Sequence, residues 1–355
     1  MTILAGIDIG GTKCAVCLGA VDEDGVRVLG KRRFPTPPTP PAALARFEQE
    51  LAWLLHEHGI PAGEGAPQSA GGVPFRPASG VPAPAEGGPR VAALAWIGIS
   101  CGGPLDSRAG LVLSPANLPG WDRIDVVTPL AARFGVPVAL QNDANACALA
   151  EWQWGAGRGC RNMIFLTFGT GMGAGLILDG RLYSGTNELA GEVGHLRLAP
   201  DGPLGYGKAG SFEGFCSGSG IANLARSRAE ESLRRHEVTL YCPTLADLPA
   251  VTAEKVGLAA QADDPVALEV FDVVARRLGQ GLALLVDILN PQRIVIGSIW
   301  SRQRSLLEPV TLRVLQEEAL PLALSVCQVV PAGLGESVGD LASLSVALNA
   351  LRTAG

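Results

Sequence analysis

No run of lysine or arginine longer than the three residues Lys31, Arg32 and Arg33 appears in this 355-residue chain. Its 28 basic and 34 acidic residues leave a formal net charge of −6, so nothing recommends a phosphate-backbone partner and no nucleic acid is expected. Long apolar stretches are missing too. The longest, such as VAALAWIGI and LALLV, fall well short of the ~20 residues a membrane helix needs. The opening MTILAGIDIGGTK has no basic segment ahead of an apolar core, so a cytoplasmic protein with no membrane partner is expected. A second cysteine pair is also lacking. Cys14 and Cys17 spell C-x-x-C inside the strand-like run KCAVCLGAV, and without the further pair a zinc site would want, both read as packing residues. The other cysteines, at 101, 147, 160, 216, 242 and 327, are scattered through apolar surroundings like reduced, buried thiols.

What is present suits a folded chain, for which two lobes are expected. A hydrophobic fraction of 47% against 17% charged residues suits sizeable buried cores, and the length suggests ~2 domains. The first thirty residues read as three strands, TILAGIDI, KCAVCLGAV and VRVLGKRRF, in a meander whose first turn is glycine-rich. Ala43, Leu44, Phe47, Leu51, Leu54 and Leu55 recur at helical spacing and predict a helix over 41–58. Residues 59–90 are dense in Gly, Pro and Ala and read as a long surface loop or insertion. Strand then alternates with helix: VAALAWIGI, LVLS, a helix near 124–134, VPVAL, and a helix starting inside QNDANACALAEWQWG. This implies α/β layers. NMIFLTFGTGMGAGLILDGRL repeats the opening logic of strand, glycine turn and strand. A long helical pattern follows at Phe271, Val274, Leu278, Leu282, Leu285 and Leu289, then the strand RIVIGS, a helix to about 318, the strand SVCQVVP and a last helix near 339–353.

Two stretches could hold phosphate. DIGGTK (8–13) and FGTGMG (168–173) each offer bare backbone N–H groups and a threonine hydroxyl at a tight turn, the ingredients of an anion-binding concavity. Neither matches G-x-G-x-x-G leading into a helix, nor G-x-x-x-x-G-K-[ST], so dinucleotide-fold and P-loop readings fail on spacing. In QNDANA, residues Asn142, Asp143 and Asn145 lie at a strand-to-helix junction, where α/β proteins tend to place ligands. A carboxylate there is favoured by the helix dipole and stays ionised at neutral pH. SPANLPGW (114–121) is a proline-braced loop that offers Asn117.

The motifs GIDIGGTK, SPANLPGW, QNDANA, FLTFGTGMGAGLILDG and GEVGH, in this order, resemble the ROK family of repressors, open reading frames and sugar kinases. The likeness is strongest to its sugar kinases and covers nearly the whole chain outside the insertion. It implies an actin-like ATPase fold, two ribonuclease-H-like α/β lobes with an active-site cleft between them. A small lobe would span 1–120, rejoined by the final helix 339–355, and a larger one 121–338. It further implies that Asp143 is the catalytic base, and that Asn117, Asn142, Glu192, His195 and Glu213 bind the sugar. Gly10, Gly11, Thr12, Lys13, Gly169, Thr170, Gly171 and Gly297 would bind ATP, with Asp8 holding Mg2+ through water. The chemistry agrees with these residue types. A hexose pocket needs paired donors and acceptors, and phosphoryl transfer needs in-line positioning and charge neutralisation.

This sequence departs from the family pattern at two places. Many members carry C-x-C-G-x-x-G-C-x-E after the histidine and bind structural zinc with it. Here Leu204, Tyr206 and Ser211 replace the three cysteines, while Glu213 is retained and Cys216 is out of register. One histidine cannot hold a tetrahedral zinc. No structural zinc is expected, so His195 reads as a sugar-hydroxyl partner in a loop ordered by packing, through Tyr206 and Phe212. The second departure is RIVIGSIW, where Ser298 and Ile299 follow Gly297 in place of small residues, at the expected adenosine site.

The activity implied is an ATP-dependent hexose kinase of glucokinase type acting at O6, with N-acetylmannosamine or N-acetylglucosamine phosphorylation as the alternative within the same chemistry. A catalytically silent sugar-binding or regulatory protein is the alternative of another class. Family repressors carry a winged-helix segment ahead of the first phosphate strand, and here that strand begins by residue 3, so direct DNA binding is not expected. A homodimer is expected from the family.

Overall fold

The computed structural model describes residues 1–23, 25–62 and 92–354; most of the stretch read as an insertion lies outside them. The chain divides into two compact units, residues 1–146 with 337–355, and residues 147–336. The first unit runs on past residue 120, where the sequence placed the junction.

In the first unit, β1 (Thr2–Ile9), β2 (Lys13–Asp22) and β3 (Gly25–Pro35) form the antiparallel meander. α1 (Pro40–Glu57) follows; proline at its start supplies the helical φ without losing a hydrogen bond. Its apolar stripe, including Ala43, Phe47, Leu51 and Leu54, is fully buried. β4 (Leu94–Cys101) pairs parallel with β1. Next come the short strands β5 (Leu105–Asp106), β6 (Leu111–Leu113) and β7 (Asp122–Asp125), which make a sheet of their own, and α2 (Thr128–Phe134). The helix expected near 124–134 therefore starts later. Asp125 pairs with Leu111 in β7, and its Oδ1 accepts the N–H groups of Val127 and Thr128 at 3.0 and 2.9 Å, which is where the chain turns helical. β8 (Val138–Asn142) completes the main sheet in the order β3-β2-β1-β4-β8 and runs straight into α3 (Asp143–Trp154).

The C-terminal helix Val338–Ala354 lies against β1 and β4 of this unit. Glycine makes that approach possible: a Cβ on Gly98 would sit 2.1 Å from the Ser343 carbonyl oxygen.

In the second unit, β9 (Met163–Phe168), β10 (Met172–Leu178) and β11 (Arg181–Tyr183) form another antiparallel meander. A small hairpin of β12 (Leu204–Gly205) and β13 (Lys208–Ala209) leads into α4 (Phe212–Phe215) and α5 (Gly218–Arg234). Then come α6 (Ala253–Gln261), α7 (Pro265–Leu289), β14 (Arg293–Ile296), α8 (Ile299–Arg302), α9 (Arg304–Glu318), α10 (Pro321–Leu324) and β15 (Gln328–Pro331). The sheet order is β11-β10-β9-β14-β15, with β14 parallel to both β9 and β15. This repeats the first unit's plan of three antiparallel strands followed by two parallel ones. α7 is the main support of this core. Asp264 caps it by accepting the Ala267 N–H at 2.9 Å, and Phe271, Val274, Leu278 and Leu282 are buried along it. Each such side chain contributes roughly 1.5–3 kcal/mol by leaving water. No helix among the described residues is long and apolar enough to cross a membrane.

Candidate active site

In the first unit the glycine turn joins β1 to β2. Gly11 comes so close to the SPANLPGW loop that a Cβ on it would lie 2.4 Å from the Asn117 carbonyl oxygen. The loop is anchored by Trp121, which is 2% exposed and whose carbonyl accepts the Ser114 N–H at 2.7 Å. The turn is tied from the other side. Thr36 donates its hydroxyl to the Gly10 carbonyl at 2.6 Å and its N–H to the Thr12 carbonyl at 3.0 Å, leaving Gly11, Thr12 and Lys13 exposed.

Asp143 is the first residue of α3 and Asn142 the last of β8. The Ala144 N–H donates to Asn142 Oδ1 at 2.9 Å and to Asp143 Oδ1 at 2.8 Å, so both side chains are held at the start of α3. Gln141 adds a brace: its Oε1 accepts the Asn142 N–H at 2.8 Å and the buried Asn145 amide at 3.0 Å. Sequence reasoning missed the backbone around which these groups gather. A Cβ placed on Gly102 would lie 3.7 Å from the Asn117 amide and 4.0 Å from Asp143 Oδ2, and one on Gly103 would lie 3.1 Å from the Asn142 amide nitrogen. The signal was available in CGGP, a glycine pair at the C-terminal end of a parallel strand.

Asp8, at the end of β1, is partly buried, and its carboxyl is raised to about 7 by loss of water, then by the carboxylates of Asp143 and Asp340, with Lys31 and Arg33 opposing. Lys31 forms an ion pair with Asp340, and Arg33 lies 3.8 Å from the same carboxylate. Among the described residues no group of three or more His, Cys, Asp or Glu side chains is placed to hold a metal ion by itself, so the Asp8 carboxyl suits only a hard cation such as Mg2+ that takes its other ligands from water and donor phosphates. Such an ion is commonly held by one or two carboxylates, water and donor phosphates. The C-x-x-C cysteines take no part. Cys14 Sγ lies 3.8 Å from the Gly10 carbonyl oxygen and Cys17 Sγ 3.6 Å from that of Asp340, and burial pushes Cys17 up to about 12.

In the second unit the matching turn joins β9 to β10. The Gly169 carbonyl accepts the Gly218 N–H at 2.7 Å, and the Thr170 carbonyl accepts the Ser219 hydroxyl at 3.0 Å, which fixes the turn to the start of α5. At its far end the Met172 N–H donates to Glu213 Oε2 at 3.1 Å. Glu192 precedes the short helical turn Val193–His195, His195 is its last residue, and both are exposed. Gly194 seats that turn beside Glu213: a Cβ there would lie 3.1 Å from Glu213 Cβ and 2.4 Å from the Met172 carbonyl oxygen. Glu192, His195 and Glu213 are thus held on neighbouring segments.

The positions that replace the family's cysteines have other contacts. Leu204 starts β12 and is 60% exposed, Tyr206 sits in the hairpin loop against His195, and the buried Ser211 caps α4 by accepting the Gly214 N–H at 3.1 Å. Phe212 is completely buried, and its ring fills the space over Gly281 of α7.

A cavity of about 680 Å³ adjoins the second turn. Gly169, Thr170 and Ser219 line one part of it, Ala222, Val251 and Ile299 give it an apolar wall, and Glu254, Arg302 and Gln303 supply polar groups. Gly297 is buried beneath this region, where its N–H donates to the Leu166 carbonyl at 3.1 Å, and the cavity is lined instead by Ser298 and Ile299. Ser298 has φ 59° and ψ −109°, a conformation natural to glycine, and its Oγ accepts from Arg302 at 3.1 Å. Of the residues in α5, α6 and α8 that shape the cavity, Ile299 was marked from sequence and the others were not.

Two units built on one sheet plan, each with a glycine turn between its first two strands, define an actin-like ATPase fold. The profile of the ROK family matches residues 86–349, and the chain belongs to that family. The glucokinase of Streptomyces coelicolor is 32% identical over 314 residues, 87% of this chain and 86% of that protein. A solved ROK family glucokinase from Streptomyces griseus, in complex with glucose and AMPPNP, is 28% identical with a TM-score of 0.69, covering 98% of this chain and 99% of that one. The DNA-binding transcriptional repressor Mlc of Escherichia coli is 31% identical over 230 residues, 64% of this chain and 54% of that protein.

Proposed function

We propose that this protein is an ATP-dependent hexose kinase of glucokinase type, transferring the γ-phosphate of ATP to the sugar's O6 hydroxyl. The observation that carries the reading is the group of Asp143, Asn142 and Asn117 around the Gly102–Gly103 backbone, at the strand-to-helix junction and beside the first glycine turn.

The chemistry then follows from the residues. Asp143 takes the proton from the attacking hydroxyl as the new O–P bond forms and the bond to the ADP oxygen breaks. Asn117, Asn142, Glu192, His195 and Glu213 exchange hydrogen bonds with the sugar's hydroxyls. The backbone N–H groups of the two glycine turns and the Thr12 and Thr170 hydroxyls receive phosphate oxygens. The cavity beside Gly169 takes the nucleoside, its apolar wall against the base. Mg2+, which Asp8 would hold through water, supplies neutralisation of phosphate charge. The similarity to a glucokinase over most of both chains supports this reading, and N-acetylated hexosamines remain in the same substrate class. We also propose that the protein acts as a homodimer, which sedimentation velocity tests directly.

The test of the activity is coupled ADP release with ATP and Mg2+ against glucose, mannose, fructose, N-acetylglucosamine and N-acetylmannosamine. Phosphorylation of one of them supports the reading. Folded protein that binds a sugar without releasing ADP would identify a silent binding protein instead.

A further inference from the structure

The hairpin of β12 and β13 carries a tyrosine where turn chemistry does not call for one. Tyr206 and Gly207 are its two loop residues, with φ 47° and 75°. Two successive positive φ values make a type I′ loop, whose first central position favours Asn, Asp or Gly because a side chain with bulk near Cβ is strained there. Burial does not offset that strain, since Tyr206 is 76% exposed. Its ring contact is with His195: the centroids lie 5.1 Å apart and the planes meet at 80°, an edge-to-face arrangement.

The same hairpin reaches the backbone of that histidine. Lys208 Nζ donates to the His195 carbonyl oxygen at 2.5 Å, two residues along from the tyrosine. The hairpin itself is firmly seated. Gly205 lies so close to α4 that a Cβ would come 2.5 Å from the Gly214 nitrogen, and the Gly210 N–H closes the hairpin's base on the Pro203 carbonyl at 3.2 Å. His195 is therefore held by ring and by carbonyl from one rigid loop that also rests on the helix bearing Glu213.

We infer that Tyr206 is a positioning residue that fixes the His195 imidazole in the orientation in which it meets a sugar hydroxyl. This rests on the sugar-kinase reading given above. An exposed imidazole on a short helical turn has rotamers to lose on binding, and a ring edge packed on it removes that loss beforehand. The strained backbone is tolerated because the ring it presents serves the site.

The test uses the full chain, with glucose affinity measured by calorimetry for the wild type, Tyr206→Phe, Tyr206→Ala, His195→Ala and the double variant. Tyr206→Ala is expected to weaken glucose binding roughly 3- to 10-fold, the size of one side chain's immobilisation, with kcat at saturating glucose unchanged. Tyr206→Phe, which keeps the ring, is expected to stay near wild type. In the His195→Ala background, Tyr206→Ala is expected to change nothing further. Wild-type affinity in Tyr206→Ala, or additive effects in the double variant, would overturn the inference. Tyr206→Gly provides the readout that separates positioning from mere structure: it is expected to melt higher while binding more weakly, whereas a structural role would lower the melting temperature.

A second measurement separates this inference from the kinase reading. In ligand-free protein the Cε1–H resonance of His195 is expected to move on Tyr206→Ala while those of His56, His58 and His236 stay. An unmoved resonance sinks the inference whether or not sugar binds. A moved resonance in a protein that binds neither glucose nor N-acetylmannosamine sinks the kinase reading alone.

Discussion

The Met172 N–H donates to Glu213 Oε2 at 3.1 Å, so one carboxylate joins the second glycine turn to the short helix that starts at Phe212. Glu213 is thereby expected to serve both the turn and the sugar. Glu213→Gln keeps an oxygen that can accept from Met172 and is expected to raise the KM for sugar with little change in the KM for ATP. Glu213→Ala strands the Met172 N–H at a cost of about 1–3 kcal/mol and is expected to raise both. Steady-state kinetics with each substrate varied in turn checks this, and an unchanged ATP KM in Glu213→Ala would remove the link.

The raised carboxyl of Asp8 gives stability a pH dependence whose sign is fixed. Its folded value of about 7 lies above the ordinary aspartate value of 3.8, so between those values the folded chain binds more protons than the unfolded one. Stability contributed at this site is therefore present below about pH 4 and falls as pH rises toward 7. Asp8→Asn is expected to melt higher than wild type at pH 8 without Mg2+, by at most about 4 kcal/mol at about 1.4 kcal/mol per pKa unit, and to lose that advantage in acid. Parallel melting curves for both proteins at all pH values would contradict the assignment.

Ser298 keeps a glycine-like backbone at φ 59°. Ser298→Gly is expected to gain roughly 1 kcal/mol by relief of that strain, seen as a rise in melting temperature. If the Arg302 contact to its hydroxyl matters to the cavity, the same variant changes ADP affinity and leaves glucose affinity alone. A fall in melting temperature would show that the serine hydroxyl outweighs the strain.

Gly98→Ala tests the seating of the C-terminal helix. A Cβ there would meet the Ser343 carbonyl oxygen at 2.1 Å and the Ala347 nitrogen at 2.5 Å, both backbone atoms that cannot swing aside. A loss of about 3 kcal/mol or more is expected, measured by urea unfolding; wild-type stability would mean that the helix shifts freely.

Much of the frame was legible because apolar periodicity and glycine turns were strong. The spacing of Ala43, Phe47, Leu51 and Leu54 marked α1 to within a residue or so at each end, and Phe271 to Leu289 marked α7 apart from its first turns, which begin at Pro265. α5 was not legible: Ile221 and Leu224 are the large apolar residues of its buried side, and the rest, Gly220, Ala222, Ala225, Ala229 and Ser232, are too small or too polar to extend them into an apolar stripe. The region near 124–134 misled because Ile124, Val126 and Leu130 fit a helix as well as they fit a short strand ended by an aspartate turn. Within the site, Asn117, Asn142 and Asp143 stood out by motif. Gly102 and Gly103 did not, since their role is to leave room, which is a property of the folded backbone. Tyr206 was marked in sequence as the replacement for a cysteine, but its contact with the His195 ring depends on a hairpin of two-residue strands that periodicity cannot detect.

In the proposed reaction Asp143 accepts a proton from a sugar hydroxyl as that oxygen attacks ATP. The measurement that tests it most directly compares wild type with Asp143→Asn in the coupled ADP-release assay, using the best sugar of the panel, with sugar affinity determined alongside. Asn keeps an oxygen for the Ala144 N–H, so the helix start is retained. The expected result is sugar affinity within a few-fold of wild type and turnover lower by roughly 10² to 10⁴. Undiminished turnover in Asp143→Asn would contradict the claim.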